Sequence, residues 1–281
     1  MALPPLGYLG AVRIYATDGG ASMGYEPTTS GFPCWYELMT TDVDAASAFY
    51  SAVLGWNVVS AGMPDFDYRL ASDPNGSSVA GLGGTEPGQP AAWIFYLEVA
   101  ECDAAAAQVE SLGGSILTAP ADIPGTGRFA IATDPQGAVF GMLQPNPMEG
   151  EAPAIGAFDQ PTTGHGSWHE LRTSDPVAGF DFYRELVGWT PGVAMPMEDG
   201  DTYQIFAAKG TDIGAVQPLR DAPVPSWLSY FNVASVTAAI ELIAAGGGEV
   251  TLGPIEVPGG AYIAIATDPQ GAGFAVTGPL D

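Results

Sequence analysis

Two glutamates, Glu37 and Glu170, occupy the same place in two similar stretches of this chain. The stretches are WYELMTTDVDAASAFYSAVLGW (residues 35–56) and WHELRTSDPVAGFDFYRELVGW (residues 168–189), held at a constant offset throughout. Each glutamate sits in a short apolar run that reads as a strand. Side chains alternate along a strand, so Trp35, Glu37 and Met39 share one face, as do Trp168, Glu170 and Arg172. A carboxylate withdrawn from water has its pKa raised and suits general acid–base work on a small organic molecule. The alternative is structural: each glutamate satisfies backbone N–H groups or a tyrosine hydroxyl inside its own module. Tyr68 and Tyr203, also at equivalent positions, either donate to a ligand or simply pack. The histidines are His165 and His169 alone. Alternation points His169 away from Glu170, and a one-residue bulge would be needed to make the two a shared catalytic pair.

The surrounding pattern shows what positions these residues. The first copy reads as a strand over 32–40, then a helix with Asp42 as N-cap and Gly55 at its end. Ala46, Phe49, Tyr50, Val53 and Leu54 fall on one helical face. Short strands follow at 57–60, 68–72 and 77–82, with Asp-Pro-Asn-Gly (73–76) as a turn. A second unit has a strand at 93–99 and a short helix opened by Asp103 and closed by Gly113-Gly114. Strands at 116–118, 128–133 and 138–143 complete it, the last two joined by the turn Asp134-Pro135-Gln136-Gly137. Each copy is therefore two β-α-β-β-β units. The second copy adds Pro176 behind the N-cap Asp175, a favoured helix start. All six tryptophans pair between copies, Trp35/Trp168, Trp56/Trp189 and Trp93/Trp227, as core or cleft residues.

The division that follows is an extension over 1–30, a module over 31–145, a linker over 146–164 and a module over 165–281. Within the extension, AVRIYATDGGASMG (11–24) has strand patterning around an Asp-Gly turn. It resembles the closing hairpin of each copy, which makes it either a detached third hairpin or an unrelated extension.

Composition narrows the function. Hydrophobic residues make up 47% of the 281 and charged ones 14%, which fits a globular chain and excludes a disordered one. Seven Lys and Arg against 32 Asp and Glu give a net charge of −25. Such a surface repels phosphate backbones and anionic lipid, so the expected partner is a small molecule, not nucleic acid or a membrane. There is no signal-peptide pattern and no apolar run of transmembrane length. Cys34 and Cys102 lie at non-equivalent positions with no metal-type spacing, as free thiols of a cytoplasmic protein would.

The duplicated plan, with its strand–Thr-x-Asp–helix opening, Phe-Tyr-x-x-x-Leu/Val-Gly-Trp exit and Asp-Pro-Gln-Gly hairpin, resembles the vicinal-oxygen-chelate superfamily. That group contains glyoxalase I, extradiol dioxygenases and bleomycin-resistance proteins. The residues carrying the resemblance are Asp42, Phe49-Tyr50, Leu54-Gly55-Trp56 and Asp134–Gly137. Their counterparts are Asp175, Phe182-Tyr183, Val187-Gly188-Trp189 and Asp268–Gly271. The resemblance implies an α+β fold of two glyoxalase-like modules, each curling two units into a half-barrel cleft with helices outside. It adds Ile94, Tyr96 and Glu98, and Leu228, Tyr230 and Asn232, to the cleft faces, so that Tyr96 and Tyr230 join the candidate ligand-binding residues.

In metal-dependent relatives, His or Glu residues from the opening and closing strands bind a divalent ion. Those positions here are Trp35, Ile94 and Gly141, and Trp168, Leu228 and Ala275, none of which can ligate. The expectation is a small-molecule enzyme without the usual metal triad or any other cofactor. It would use Glu37 or Glu170, with His169 if the bulge exists, for isomerisation, elimination or ring closure. An aromatic or polyketide-like metabolite would lie against Trp35, Met39, Tyr68, Tyr96, Trp168, Arg172, Tyr203 and Tyr230. The rival is a binding protein that sequesters a toxic molecule, as bleomycin-resistance relatives do. Either a monomer with an internal pseudo-dimer or a homodimer fits the duplication, and the second cleft, with His169 and Arg172, is favoured.

Overall fold

The computed structural model describes residues 30–64, 66–146, 156–197, 200–220 and 222–281. The expected hairpin over 11–24 lies outside the described residues, as does most of the linker. Strand β1 (Pro33–Thr40) leads into helix α1 (Val43–Leu54), then β2 (Asn57–Ser60), β3 (Tyr68–Ser72) and β4 (Ser78–Gly84). The next unit is β5 (Ala92–Glu98), α2 (Cys102–Ser111), β6 (Ser115–Ile123), β7 (Gly127–Thr133) and β8 (Val139–Pro145). The second copy opens with β9 (Gly166–Thr173), α3 (Pro176–Val187), β10 (Thr190–Pro196), β11 (Thr202–Ala208) and β12 (Thr211–Pro218). It closes with β13 (Ser226–Asn232), α4 (Val236–Ala245), β14 (Glu249–Glu256), β15 (Tyr262–Thr267) and β16 (Gly273–Gly278).

The fold is α+β, with one eight-stranded mixed sheet from each copy. Every four-strand unit has the same order: β2-β3-β4-β1, β6-β7-β8-β5, β10-β11-β12-β9 and β14-β15-β16-β13. The opening strand runs parallel to the last strand of its unit, as in Glu37 beside Gly81 and Glu170 beside Ala215. The outer strands pair antiparallel as hairpins. Among the described residues no helix is long and apolar enough to cross a membrane.

The helix ends follow local chemistry. Asp42 accepts from the Ala45 N–H at 2.9 Å, and Asp175 from the Ala178 N–H at 3.0 Å. Gly55 and Gly188 then take the left-handed conformation, φ 72° and 74°, that ends each helix. One assignment needs correction. Asp103 does not open α2: the helix begins at Cys102 behind Glu101, and Asp103 binds Arg128 instead.

The chain packs as two compact units, and neither is a sequence copy. Among the described residues, one joins 35–94 with 156–168 and 228–281; the other joins 95–146 with 169–227 and 30–34. Each thus combines the first unit of one copy with the second unit of the other. The residues that carried the family resemblance explain this exchange. In the turn 134–137, Asp134 Oδ1 accepts from the N–H groups of Gln136, Gly137 and Ala138 at 2.8–3.0 Å. Its other oxygen takes the Tyr183 hydroxyl of α3 at 3.3 Å, and that hydroxyl accepts the Trp227 indole N–H at 2.9 Å. The same arrangement in the other unit runs from Trp93 to Tyr50 to Asp268, at 2.9 and 3.0 Å. Burial pushes both aspartate carboxyls up from the usual carboxylate value, against the pull of the N–H donors. Burial, and after it the aspartate charge, pushes both tyrosines well above their ordinary value, so they remain donors.

Indoles complete each lock. Trp56 Nε1 donates to the Gly164 carbonyl and Trp189 Nε1 to the Gly31 carbonyl, both at 2.7 Å. His165 belongs to this scaffold too. Its side chain is fully buried, with Nδ1 2.7 Å from the Gly156 carbonyl and Nε2 3.3 Å from Asp73 in the turn before β4.

Candidate functional site

The first carboxylate centre lies within the unit that holds β1–β4. Glu37 is 1% exposed and accepts from the Tyr68 hydroxyl at 2.9 Å. Trp35 Nε1 reaches the same hydroxyl at 3.4 Å. Burial, then the Glu37 charge, holds the Tyr68 hydroxyl well above its ordinary pKa, so it stays a donor. The ring lies flat because β4 offers only glycine beneath it. A Cβ on Gly81 would run into the Tyr68 hydroxyl, and one on Gly83 would press on Phe66 and Tyr68. Phe66 stacks on Tyr68 with centroids 6.2 Å apart. This centre is packed shut. Gly81→Ala should push the ring off Glu37 and cost about 1–3 kcal/mol, the usual cost of overpacking. An unchanged urea midpoint would disprove the close packing.

The second centre lies within the unit that holds β9–β12. Glu170 is 6% exposed and accepts from Tyr203 Oη at 2.8 Å and from Gln217 Nε2 at 2.9 Å. Arg172 Nη2 stands 3.5 Å from the same oxygen that Gln217 binds. Here Ala215 replaces Gly81 beside the glutamate. Tyr203 is half-buried where Tyr68 is buried, and Arg172 is half-buried beside it. A buried carboxylate with a tyrosine, an amide and a guanidinium around it, and partial access from solvent, has the parts of an acid–base centre.

Tyr96 covers Gly141, where a Cβ would strike its ring. Trp168 and Tyr230 join Leu228, Ala275, Ile263 and Ile265 in one hydrophobic cluster. Met39 is half-buried, opposite Gly83. His169 needs correction. The β9–β12 register runs without a bulge from His169 to Thr173, so the residue stays on the face opposite Glu170. There its ring lies tilted against Phe95, centroids 4.9 Å apart, and its Nδ1 donates to the Ile213 carbonyl at 3.0 Å. Burial pushes its pKa down to about 4. Gln217 was not apparent from the sequence. Its signal was a comparison of the copies, in which a polar residue of β12 stands where Gly83 stands in β4.

A divalent ion does not fit the residues present. Trp168, Leu228 and Ala275 come together as expected, but as part of that apolar cluster. Among the described residues no three His, Cys, Asp or Glu side chains converge.

Comparisons with known proteins agree with this architecture. The Glyoxalase/Bleomycin resistance protein/Dioxygenase superfamily matches twice, over residues 34–142 and 164–276. A Mycobacterium tuberculosis protein named "Putative glyoxylase CFP32" is 34% identical over 89% of this chain and 95% of its own length. The "Anthracycline biosynthesis protein DauV" of Streptomyces sp. is 32% identical over 88% of this chain and 92% of its own. Among solved structures, the Mn(II)-bound glyoxalase from Novosphingobium aromaticivorans shares the fold with TM-score 0.63. It is 17% identical, over 92% of this chain and 84% of that one. The duplicated units, their strand order and both family matches make this chain a two-copy member of the Glyoxalase/Bleomycin resistance protein/Dioxygenase superfamily.

Proposed function

We propose that this chain is a small-molecule enzyme that works by acid–base chemistry at Glu170, without the metal triad of its metal-dependent relatives. The observation that carries this reading is the contrast between the centres. Glu37 is sealed under Tyr68, whereas Glu170 is buried beside two half-buried polar side chains, Tyr203 and Arg172. Glu170 would take a proton from carbon next to a ketone, leaving an enolate. Returning the proton at another position gives isomerisation, and expelling a leaving group gives elimination. The aromatic side chains of the unit suit a flat, polyketide-like substrate. A relative named for anthracycline biosynthesis supports the same substrate class.

The test is deuterium exchange. A polycyclic aromatic ketone with an enolisable C–H is incubated with the protein in heavy water and followed by mass spectrometry. Exchange should be catalysed, and Glu170→Gln should slow it about 10²–10⁴-fold, the usual weight of a general base. Glu37→Gln should leave the rate unchanged. If exchange survives Glu170→Gln, the acid–base assignment is wrong. A ligand that raises the thermal midpoint yet is recovered intact and unexchanged would favour sequestration instead.

A further inference from the structure

The two centres share a plan, so the positions where they differ carry information. The paired registers match Met39 with Arg172 and Gly83 with Gln217. In each unit the two positions are cross-strand neighbours, Met39 beside Gly83 and Arg172 beside Gln217. A bare pair in one centre is therefore a polar pair in the other. Both polar side chains turn to one oxygen of Glu170, Gln217 at 2.9 Å and Arg172 at 3.5 Å.

Three other arginines each pair with two carboxylates. Arg69 binds Asp44 and Asp67, Arg128 binds Asp103 and Asp122, and Arg184 binds Asp181 and Glu185. Arg172 has one carboxylate among the described residues, at the long end of hydrogen-bond range and shared with Tyr203 and Gln217. Most of its N–H donors stay available, in a planar fork suited to an oxygen anion. A half-buried guanidinium gains most from a partner that neutralises it.

We infer that the Glu170 centre selects flat ligands bearing an anionic oxygen, an ionised enol, phenol or carboxylate. Arg172 holds that oxygen, and Gln217 is a positioning residue that occupies Glu170 and leaves the guanidinium free. This rests on the reading of Glu170 as the working centre. The net charge of −25 opposes anions at long range, but at physiological salt that field is screened beyond roughly 8 Å. Selection is thus local to Arg172.

Two probes test it by calorimetric titration at physiological salt. Lawsone is a hydroxynaphthoquinone whose acidic enol is ionised at neutral pH, and its O-methyl ether is neutral with nearly the same outline. The wild-type chain should bind lawsone roughly tenfold or more tightly than the ether, the size of one charge-assisted hydrogen bond. Arg172→Met, which copies Met39 of the first centre, should bring the two affinities together. Arg172→Lys should keep part of the preference, and serves if the methionine variant does not fold. Equal binding of both probes by the wild type, binding of neither, or a preference that survives Arg172→Met would each overturn the inference. The acid–base reading is judged separately: exchange lost in Glu170→Gln with no probe preference leaves that reading standing and this one refuted. A clear Arg172-dependent preference with exchange intact in Glu170→Gln does the reverse.

Discussion

Trp189→Ala should lower the unfolding free energy by about 3–5 kcal/mol, in the range measured for large aromatics removed from cores. Trp189 is 1% exposed and lies flat on Phe206, with ring centroids 4.1 Å apart and planes 12° apart. Tyr183 stacks on it at 5.0 Å and Trp227 meets it edge-on at 5.9 Å. Its truncation opens a cavity among rings that have no side chain to move into the gap. The indole N–H also satisfies the Gly31 carbonyl. Trp189→Phe keeps much of the stack but strands that carbonyl, so about 1–3 kcal/mol is expected, the cost of an unpaired buried acceptor. Urea unfolding at constant m-value measures both. If the alanine variant costs under about 1 kcal/mol, the stack is not what holds this unit together.

Acid should destabilise the protein through His169. The ordinary histidine value is 6.5, and burial lowers it to about 4 in the folded chain. The unfolded chain therefore takes up a proton at a pH where the folded chain does not. The neutral ring contributes its full stabilisation above the unfolded value, and loses it as pH falls from 6.5 toward 4. The total is about 3 kcal/mol at 1.36 kcal/mol per pH unit. Asp134 and Asp268 act in the opposite sense. Their carboxyls are raised, so their contribution is present at low pH and fades as pH rises through the folded value. The quantity to measure is the difference between wild type and His169→Gln, which keeps a donor for the Ile213 carbonyl but does not titrate. Wild-type stability relative to that of the variant should fall as pH drops through the window. A constant difference would show that His169 is not the titrating group.

Much of the scaffold could be read from the sequence because its signals are local. Asp42, Asp175, Gly55 and Gly188 act within a few residues of themselves, and the helical faces repeat at a fixed period. Alternation set His169 on the strand face opposite Glu170, and the unbroken register keeps it there. Packing partners were another matter. Periodicity says that Tyr50 faces a core, but not that the core contains Asp268, 218 residues away. The Asp-Pro-Gln-Gly turn looked like a hairpin signature, and nothing near it in sequence announces the tyrosine that its free oxygen binds. The difference between the two centres was equally hidden, because it rests on Gly81 and Gly83 of β4 standing where β12 has Ala215 and Gln217. A glycine beneath a ring is visible only once the ring is placed.

The exchanged packing also sets an order of events at the ribosome. The unit built on Tyr183 and Asp134 draws mainly on one continuous run of chain, and its linking residues lie 49 apart. It has nearly all its pieces as soon as Trp227 has emerged. The other unit takes its first helix from Trp35–Ile94, yet must hold that helix open until Asp268 arrives from near the end of the chain. Closing that longer loop costs more entropy and delays the reward of the contacts. Meanwhile Phe49 and Tyr50 wait without their later partner Phe274, so the unit completed last is the one most dependent on protection during synthesis.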